Sequence, residues 1–200
     1  MSPIGEIAHV RTVRAEARRV AEAELEITGR LVDERPGGDG WLGDGLGRII
    51  HDMSLTIRVR HPELVITAVE GRMDHRPYTL CTDAVPPLSQ LIGLSVMQGF
   101  TRAVNERFGR QLGCAHLTAL IQAMAPVVKQ GAGATFHEDE EFPRAEQDLW
   151  FVNTCQAWRA DGPLHARVRA GDAAGLREFT AEANATRGGL GGHLGAPPVQ

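Results

Sequence analysis

Apolar and polar residues alternate with a period of two in residues 24–33 and again in residues 51–60. This period is that of a β-strand with one buried face. A third strand is predicted from Leu64 to about Met73, after a turn at residues 61–63. Three strands joined in sequence predict an antiparallel meander that is covered on one side. The two apolar rows are Leu25, Ile27 and Leu31, and Met53, Leu55, Ile57 and Val59.

The spacing of apolar residues changes to three or four positions after Pro77, which predicts helices. A first helix should begin near Asp83, a second should cover residues 98–108, and the clearest covers residues 114–128. The predicted fold class is therefore α+β, a small antiparallel β-meander with helices packed on one face.

Two further segments have helical patterns. Residues 15–23 are rich in Ala, Arg and Glu, which favour helix. In residues 146–159 the side chains of Phe151, Cys155 and Trp158 fall on one helical stripe, so Cys155 is expected to be a buried packing residue.

The domain organisation is predicted from composition. A core α+β domain covers residues 1–128, a polar linker covers 129–144, and a C-terminal helical extension covers 145–187. Residues 188–200 are too rich in Gly and Pro to bury a core, so a disordered tail is expected there.

The net charge and the composition limit the classes of partner that the protein is expected to bind. The formal net charge is −4, which argues against nucleic acid and anionic membranes as partners. The sequence contains no apolar run of membrane-spanning or signal-peptide type, so a cytoplasmic protein is expected. Three cysteines without an export signal argue against a disulfide framework. A small-molecule substrate is the expected partner, and a homo-oligomer is compatible with these properties.

Cys114 and His116 carry the first chemical signal. They stand at the predicted start of the clearest helix, where unpaired backbone N–H groups and the helix dipole favour a thiolate. Thiolate and neutral imidazole are the preferred ligands of zinc and of iron. The alternative is that Cys114 simply packs in a core, as free cysteines commonly do.

Two other residues are expected to join them. Cys81 lies in the loop before the first helix, and His51 begins the inward row of the second strand. The four groups would share one edge of the sheet and form a Cys2His2 set for a divalent metal, zinc or iron. Asp52 or Tyr78 would serve as acid or base, although alternation turns Asp52 away from His51.

Two aromatic residues are candidates for the wall of a substrate pocket. Trp41 stands in the Gly- and Asp-rich loop at residues 34–47, and Phe100 stands in the second predicted helix. A loop of this composition that carries one aromatic residue is also compatible with an ordinary surface loop.

Five short segments resemble the bacterial family called domain of unknown function 2889. They are His51-Asp52-Met53, residues 77–81, residues 91–94, residues 99–104 and residues 113–117, and the resemblance runs from about His9 to Val128. It implies that the recurring family residues correspond to His51, Cys81, Cys114 and His116. It also implies a short strand near the N-terminus, where this chain has the helix-favouring residues 15–23.

Two functions are compatible with such a site. The first is a metal-dependent lyase or hydrolase that acts on a small apolar or aromatic metabolite, as in aromatic catabolism. The second is an iron–sulfur or metal-carrier protein without catalytic activity. It rests on a fold-level likeness to iron–sulfur scaffold proteins, which also have three antiparallel strands and a final helix with Cys and His at one end.

Overall fold

The structure is a computed structural model that describes residues 4–36, 48–97, 99–136, 149, 151–177 and 179. The chain divides into two compact units, residues 1–138 and residues 139–200. The first unit contains one antiparallel sheet of four strands in the order β1-β2-β3-β4. The strands are β1 (Val10–Ala21), β2 (Glu24–Glu34), β3 (Ile49–Arg60) and β4 (Val65–His75). The predicted α+β class is confirmed.

Strand β1 corrects the prediction of a helix over residues 15–23. It pairs with β2 along almost its whole length, from Val10 opposite Glu34 to Ala21 opposite Glu24. The Ala, Arg and Glu residues of this segment favour helix when taken alone, but pairing with β2 and contact with a covering helix override that preference. The meander therefore has four strands, and β1 is one of its edges.

Alternation sorts the sheet residues as predicted. Leu25, Ile27 and Leu31 of β2 and Met53 of β3 are at most 1% exposed. His51 lies in the same inward row, with a side chain that is 13% exposed. The opposite face carries charged and hydroxyl residues, including Arg30, Ser54 and Thr56.

Helix α2 (Ala115–Phe136) covers the inner face of the sheet. Its buried stripe is Leu117, Leu120, Ile121, Met124, Val128 and Ala132. The helix continues to Phe136, so the predicted helix end at Val128 and the start of the linker at residue 129 are wrong. Gly29 of β2 permits this close packing, because a Cβ atom there would lie 2.6 Å from Met124 Sδ.

The segment between the sheet and α2 is made of short helices. Two 3₁₀ helices, Thr79–Ala84 and Pro86–Leu91, replace the single helix predicted near Asp83. Helix α1 (Phe100–Phe108) and a 3₁₀ turn (Arg110–Leu112) follow before α2. This segment brings the chain from the end of β4 to the start of α2.

The second unit contains helix α3 (Pro163–Arg169), while its residues 151–158 form turns and bends. The helix predicted over residues 146–159 is therefore absent from the part of that range that the structure describes. Cys155 is exposed, so the prediction that it is a packing residue is wrong. The predicted tail at residues 188–200 lies outside the described residues. Among the described residues, no helix is long and apolar enough to cross a membrane.

Candidate functional site

Asp33 is the centre of the candidate site. It occupies the last inward position of β2, and its side chain is 0% exposed. The register between β2 and β3 shifts directly after it, since Asp33 pairs with His51 and Glu34 pairs with Ile49. This bulge interrupts the regular ladder directly beyond the pair of Asp33 and His51.

Arg11, at the start of β1, and His9, just before that strand, hold the Asp33 carboxylate. Arg11 donates two hydrogen bonds to it, from Nε to Oδ1 at 2.7 Å and from Nη2 to Oδ2 at 2.8 Å. His9 Nε2 lies 3.2 Å from Oδ1. A bidentate arginine fixes both the plane and the position of a carboxylate.

Two further histidines converge on the other oxygen, Oδ2. His51 Nδ1 lies 2.9 Å from it, and His116 Nε2 lies 3.3 Å from it. The two imidazole rings also contact each other, with centroids 3.7 Å apart and planes tilted by 33°. Asp33, His51 and His116 each offer one ligand atom within 4.8 Å of the others, a grouping of three or more metal-ligand side chains that does not recur in the described residues.

The protonation of Asp33 follows from its partners. Burial by itself would raise the pKa of this carboxyl. The hydrogen bonds from Arg11, His9 and His51 and the charge of Arg11 outweigh burial and hold the pKa well below its usual value. Asp33 is therefore a permanent anion at neutral pH.

Both inner histidines are neutral at that pH. Burial lowers the pKa of His51, and this effect exceeds the opposing influence of the Asp33 carboxylate. Burial also lowers the pKa of His116, and the neighbouring His51 lowers it further. Neutral imidazole is the form that binds metal ions and the form that accepts a proton.

Cys114 stands next to this cluster. Its Sγ lies 3.7 Å from His116 Nδ1, which is the ring nitrogen opposite the one that faces Asp33. The thiol, the imidazole and the carboxylate thus follow one another in a chain. Since a metal between Asp33 and His116 Nε2 would sit on the far side of the ring from Cys114, the thiol is not a fourth ligand in this arrangement.

The remaining predicted site residues lie elsewhere. Cys81 is in the first 3₁₀ helix and packs against the hydrophobic core, outside the group formed by Asp33 and the two histidines. Tyr78 is 55% exposed. Phe100 is 5% exposed and belongs to the core, and Trp41 lies outside the described residues.

Asp52 lies on the opposite face of the sheet from His51, where alternation puts it. It is 6% exposed and receives two hydrogen bonds from Arg30, at 2.8 Å from Nε and at 2.5 Å from Nη2. These bonds lower the pKa of its carboxyl. Asp52 is thus paired on the outer face, away from the two histidines.

Sequence reasoning missed Asp33, Arg11 and His9. The signal for Asp33 was present, because period-two counting puts it in the same row as Leu25, Ile27 and Leu31. A carboxylate in a buried row requires a partner, which is an argument for a functional site. Arg11 and His9 had no such signal, because they belong to no apolar row in the sequence and the neighbouring residues 15–23 were predicted as helix.

The comparisons with known proteins identify the family and nothing more specific. The model of the family described as "Protein of unknown function (DUF2889)" matches residues 9–130, so the chain belongs to this family. No curated protein and no solved structure matches the chain. The matched residues include Asp33 and the four described residues that contact it, His9, Arg11, His51 and His116. The likeness to iron–sulfur scaffold folds stays a prediction.

Proposed function

We propose that this protein is a cytoplasmic metal-dependent lyase or hydrolase that acts on a small apolar or aromatic metabolite, with the metal held by Asp33, His51 and His116. One observation carries the proposal: the ligand atoms of these residues converge on one point at the end of the sheet, within 4.8 Å of one another. Two histidines and one carboxylate are a common ligand set for catalytic zinc and for iron(II).

The spacing of the three atoms supports a metal. For metal–ligand bonds of about 2.0–2.1 Å, neighbouring ligands are separated by roughly 3.0 Å in an octahedral site and 3.4 Å in a tetrahedral site. The observed separations of 2.9 and 3.3 Å between Asp33 Oδ2 and the two imidazole nitrogens fall close to that range. All three ligand atoms, including the pair of imidazole nitrogens, lie within 4.8 Å of one another.

The surroundings also suit a catalytic ion. Three protein ligands leave at least one coordination position for water or substrate. Arg11 and His9 bind the Asp33 carboxylate and hold it in place. Hydrogen bonds of this kind orient the side chains that coordinate a metal. A metal held there would supply Lewis-acid chemistry, by polarising a carbonyl or lowering the pKa of a bound water. His9, whose Nε2 lies 3.2 Å from Asp33 Oδ1, is the neighbouring side chain that would move a proton.

A second function is favoured by one specific contact. The Cys114 thiol faces His116 Nδ1 at 3.7 Å, and the opposite nitrogen faces Asp33. This is the order of groups in a thiol–imidazole–carboxylate nucleophile, in which the carboxylate orients the ring and the ring takes the thiol proton. In that case the protein would be a hydrolase that needs no metal: the thiol attacks an acyl carbon, the substrate's leaving group departs with the proton from the imidazole, and water hydrolyses the resulting thioester.

The experiment is a titration of the metal-free protein with zinc and with cobalt(II), followed by calorimetry and by the visible spectrum of cobalt. We expect one bound ion per chain, and we expect His116→Ala and His51→Ala to weaken binding by more than about 100-fold, because each removes a direct ligand. His75→Ala is the matched control, since His75 lies on β4 opposite Asp52 and is exposed.

Cys114→Ser separates the two functions. Under the metal hypothesis this variant binds cobalt as the wild type does, because the thiol lies beyond the His116 ring. If the wild type binds no ion, the metal hypothesis is wrong. A thiol nucleophile would then show itself as alkylation of Cys114 that slows by about tenfold or more in His116→Ala, because the imidazole no longer takes the thiol proton.

A further inference from the structure

Strand β1 is an edge of the sheet whose backbone is paired on one side only. Among the described strands it pairs with β2 alone, and eight of its twelve residues are exposed. A strand with one neighbour leaves the N–H and C=O groups that point to its other side without a sheet partner. β1 contains neither Pro nor Lys, the residues that commonly protect such an edge. Its other side is therefore open to pairing with a further strand.

Strand β4, the opposite edge of the sheet, is covered at its start. Ile66 N donates to the Leu94 carbonyl and Gly93 N donates to the Ile66 carbonyl, each at 2.9 Å. Val65 and Ser95 extend this cover as an isolated antiparallel bridge. In the described part of the chain no segment covers β1 in the same way. Of the two edges, β1 is thus the one that is available over its whole length.

The charges on the outer row of β1 alternate in sign. Arg14, Glu16 and Arg18 follow one another in this row, and each arginine bonds to the glutamate between them, with Nη2 at 2.5 Å for Arg14 and at 3.1 Å for Arg18. The side chains of the two arginines are 79% and 71% exposed, so both stay accessible to further groups. A row of like charges repels a second copy of itself, whereas a row of alternating sign can match a second copy that runs antiparallel to it.

We propose that two copies of this chain pair through their β1 strands, antiparallel and about a twofold axis beside Ala15, so that their two sheets form one continuous sheet. In this register Arg14 of each copy lies opposite Glu16 of the other, which gives two symmetry-related ion pairs. Directly opposite residues have Cβ atoms roughly 4.5–5.5 Å apart, whereas residues two positions apart on one strand are separated by roughly 6.6 Å. Each of these charges is therefore closer to its partner in the second copy than to its partner in its own strand.

The inner row of this register buries apolar surface. Val13, which is 41% exposed, lies opposite Ala17 of the second copy. One like-charged pair occurs, Arg11 opposite Arg19, but both arginines are engaged within their own chain. Arg11 binds the Asp33 carboxylate, and Arg19 donates to two backbone carbonyls. The like-charged pair is therefore compatible with the register.

The neighbouring registers fit less well. With the axis beside Glu16, like charges face each other along the outer row, which is destabilising. With the axis beside Ala17, Glu16 faces Arg18, but the bulge at residues 19–21 then falls within the paired segment. With the axis beside Ala15, the same bulge lies at the ends of the paired segment, so the regular part of the strand pairs throughout.

Sedimentation velocity of the full chain at concentrations from about 1 to 100 μM tests the pairing. We expect a dimer for the wild type. The dissociation constant should rise about tenfold or more in Arg14→Glu and in Glu16→Arg, because each change sets like charges opposite each other at two symmetry-related places. The double variant, Arg14→Glu with Glu16→Arg, exchanges the two charges, so it should recover the affinity of the wild type.

Arg72→Glu is the matched control, because Arg72 is an exposed arginine that bonds to an acid two positions on, Asp74, but lies on β4. It should dimerise as the wild type does. Thermal unfolding establishes that each variant is folded, and if one single variant does not fold, the other is compared with the double variant. Three results overturn the inference: a wild type that is monomeric at about 100 μM, an effect of Arg72→Glu as large as that of Glu16→Arg, or a double variant that dimerises no more tightly than the single variants.

Discussion

Two aspartate–arginine pairs lie on neighbouring strands, one on each face of the sheet. On the inner face Asp33 receives two hydrogen bonds from Arg11, and on the outer face Asp52 receives two from Arg30. Both carboxylates are nearly inaccessible, at 0% and 6% exposed. In their arginine contacts the two pairs are almost the same.

The difference lies in what else each carboxylate meets. Asp33 faces three imidazoles under the start of helix α2, from His9, His51 and His116. Asp52 faces the polar side of the sheet, where the Arg30 side chain is 62% exposed. The same ion pair thus stands alone on one face and is joined by three imidazoles on the other. The face of the sheet on which a carboxylate lies therefore determines whether it contacts histidines.

The largest expected effect is on stability when each carboxylate loses its charge. Asp33→Asn should lower the free energy of unfolding by about 3 kcal/mol, because it removes the partner of a buried network. Asp52→Asn should cost about 1 kcal/mol or less, because water can solvate Arg30 in its place. Chemical denaturation at neutral pH, on metal-free protein, measures both. Equal losses would show that the two faces are energetically alike.

Packing on the inner face should show a smaller effect. Gly29→Ala places a Cβ 2.6 Å from the buried Met124 Sδ and should cost about 1–3 kcal/mol through overpacking. Ser54→Ala, on the outer face of β3, should change the free energy of unfolding by about 0.5 kcal/mol or less. If Gly29→Ala is tolerated at no cost, helix α2 does not press on the sheet as closely as described.

A more gradual effect is expected with pH, again for metal-free protein. The pKa values of His51 and His116 are lower in the folded chain than in the unfolded chain, so the unfolded chain binds more protons as pH falls. Stability should therefore decline as pH falls below the ordinary histidine pKa of about 6.5. The lowered pKa of Asp33 adds a second decline, which begins only below the ordinary aspartate value of 3.8.

His51 and His116 should account for the part of this decline in stability that begins just below pH 6.5. A double variant, His51→Ala with His116→Ala, should lose the slope just below pH 6.5, whereas His75→Ala should keep it. Thermal melting points measured at a series of pH values test this. A slope that survives in the double variant would assign the decline to other groups.

The smallest expected effect is at Cys155, an exposed residue that serves as a control for substitutions in the buried cluster. Its side chain is exposed in the second unit, so Cys155→Ala should change the free energy of unfolding by about 0.5 kcal/mol or less. Cobalt binding should also be unchanged. A loss of several kcal/mol would mean that the thiol is buried after all.

The strands that alternate clearly were predictable, and the strand that does not was missed. β2 and β3 carry an unbroken inward row, which sets their faces without any tertiary information. β1 is an edge strand whose residues are mostly exposed, so it has no strong apolar row and reads as helix. The end of α2 was also missed, because its Gly- and Ala-rich last turns resemble a linker.

The site was predictable only in part, for the same reason. His51 was placed correctly because its position in the row of Met53 fixes its face. Cys114 and His116 were predicted as site residues because they stand at the start of the clearest helix. Cys81 was grouped with them because its loop was assumed to reach the same edge, a matter of loop geometry that local sequence does not determine. The alternating pattern places Asp33 in the inward row of β2, but the prediction did not consider that a charge buried there needs partners.

The cluster around Asp33 joins the first strand of the unit to its last helix, and this has a consequence for how the chain folds. His9 and Arg11 are made early, and His116 is made only after the sheet and the short helices. Contacts between segments so distant in sequence require a long loop to close, which is a slow and late event in folding. A nascent chain that ends before α2 has the sheet residues but no His116, so it lacks one member of the group formed by Asp33, His51 and His116. The complete cluster therefore forms only after β1 and α2 have both packed against the sheet.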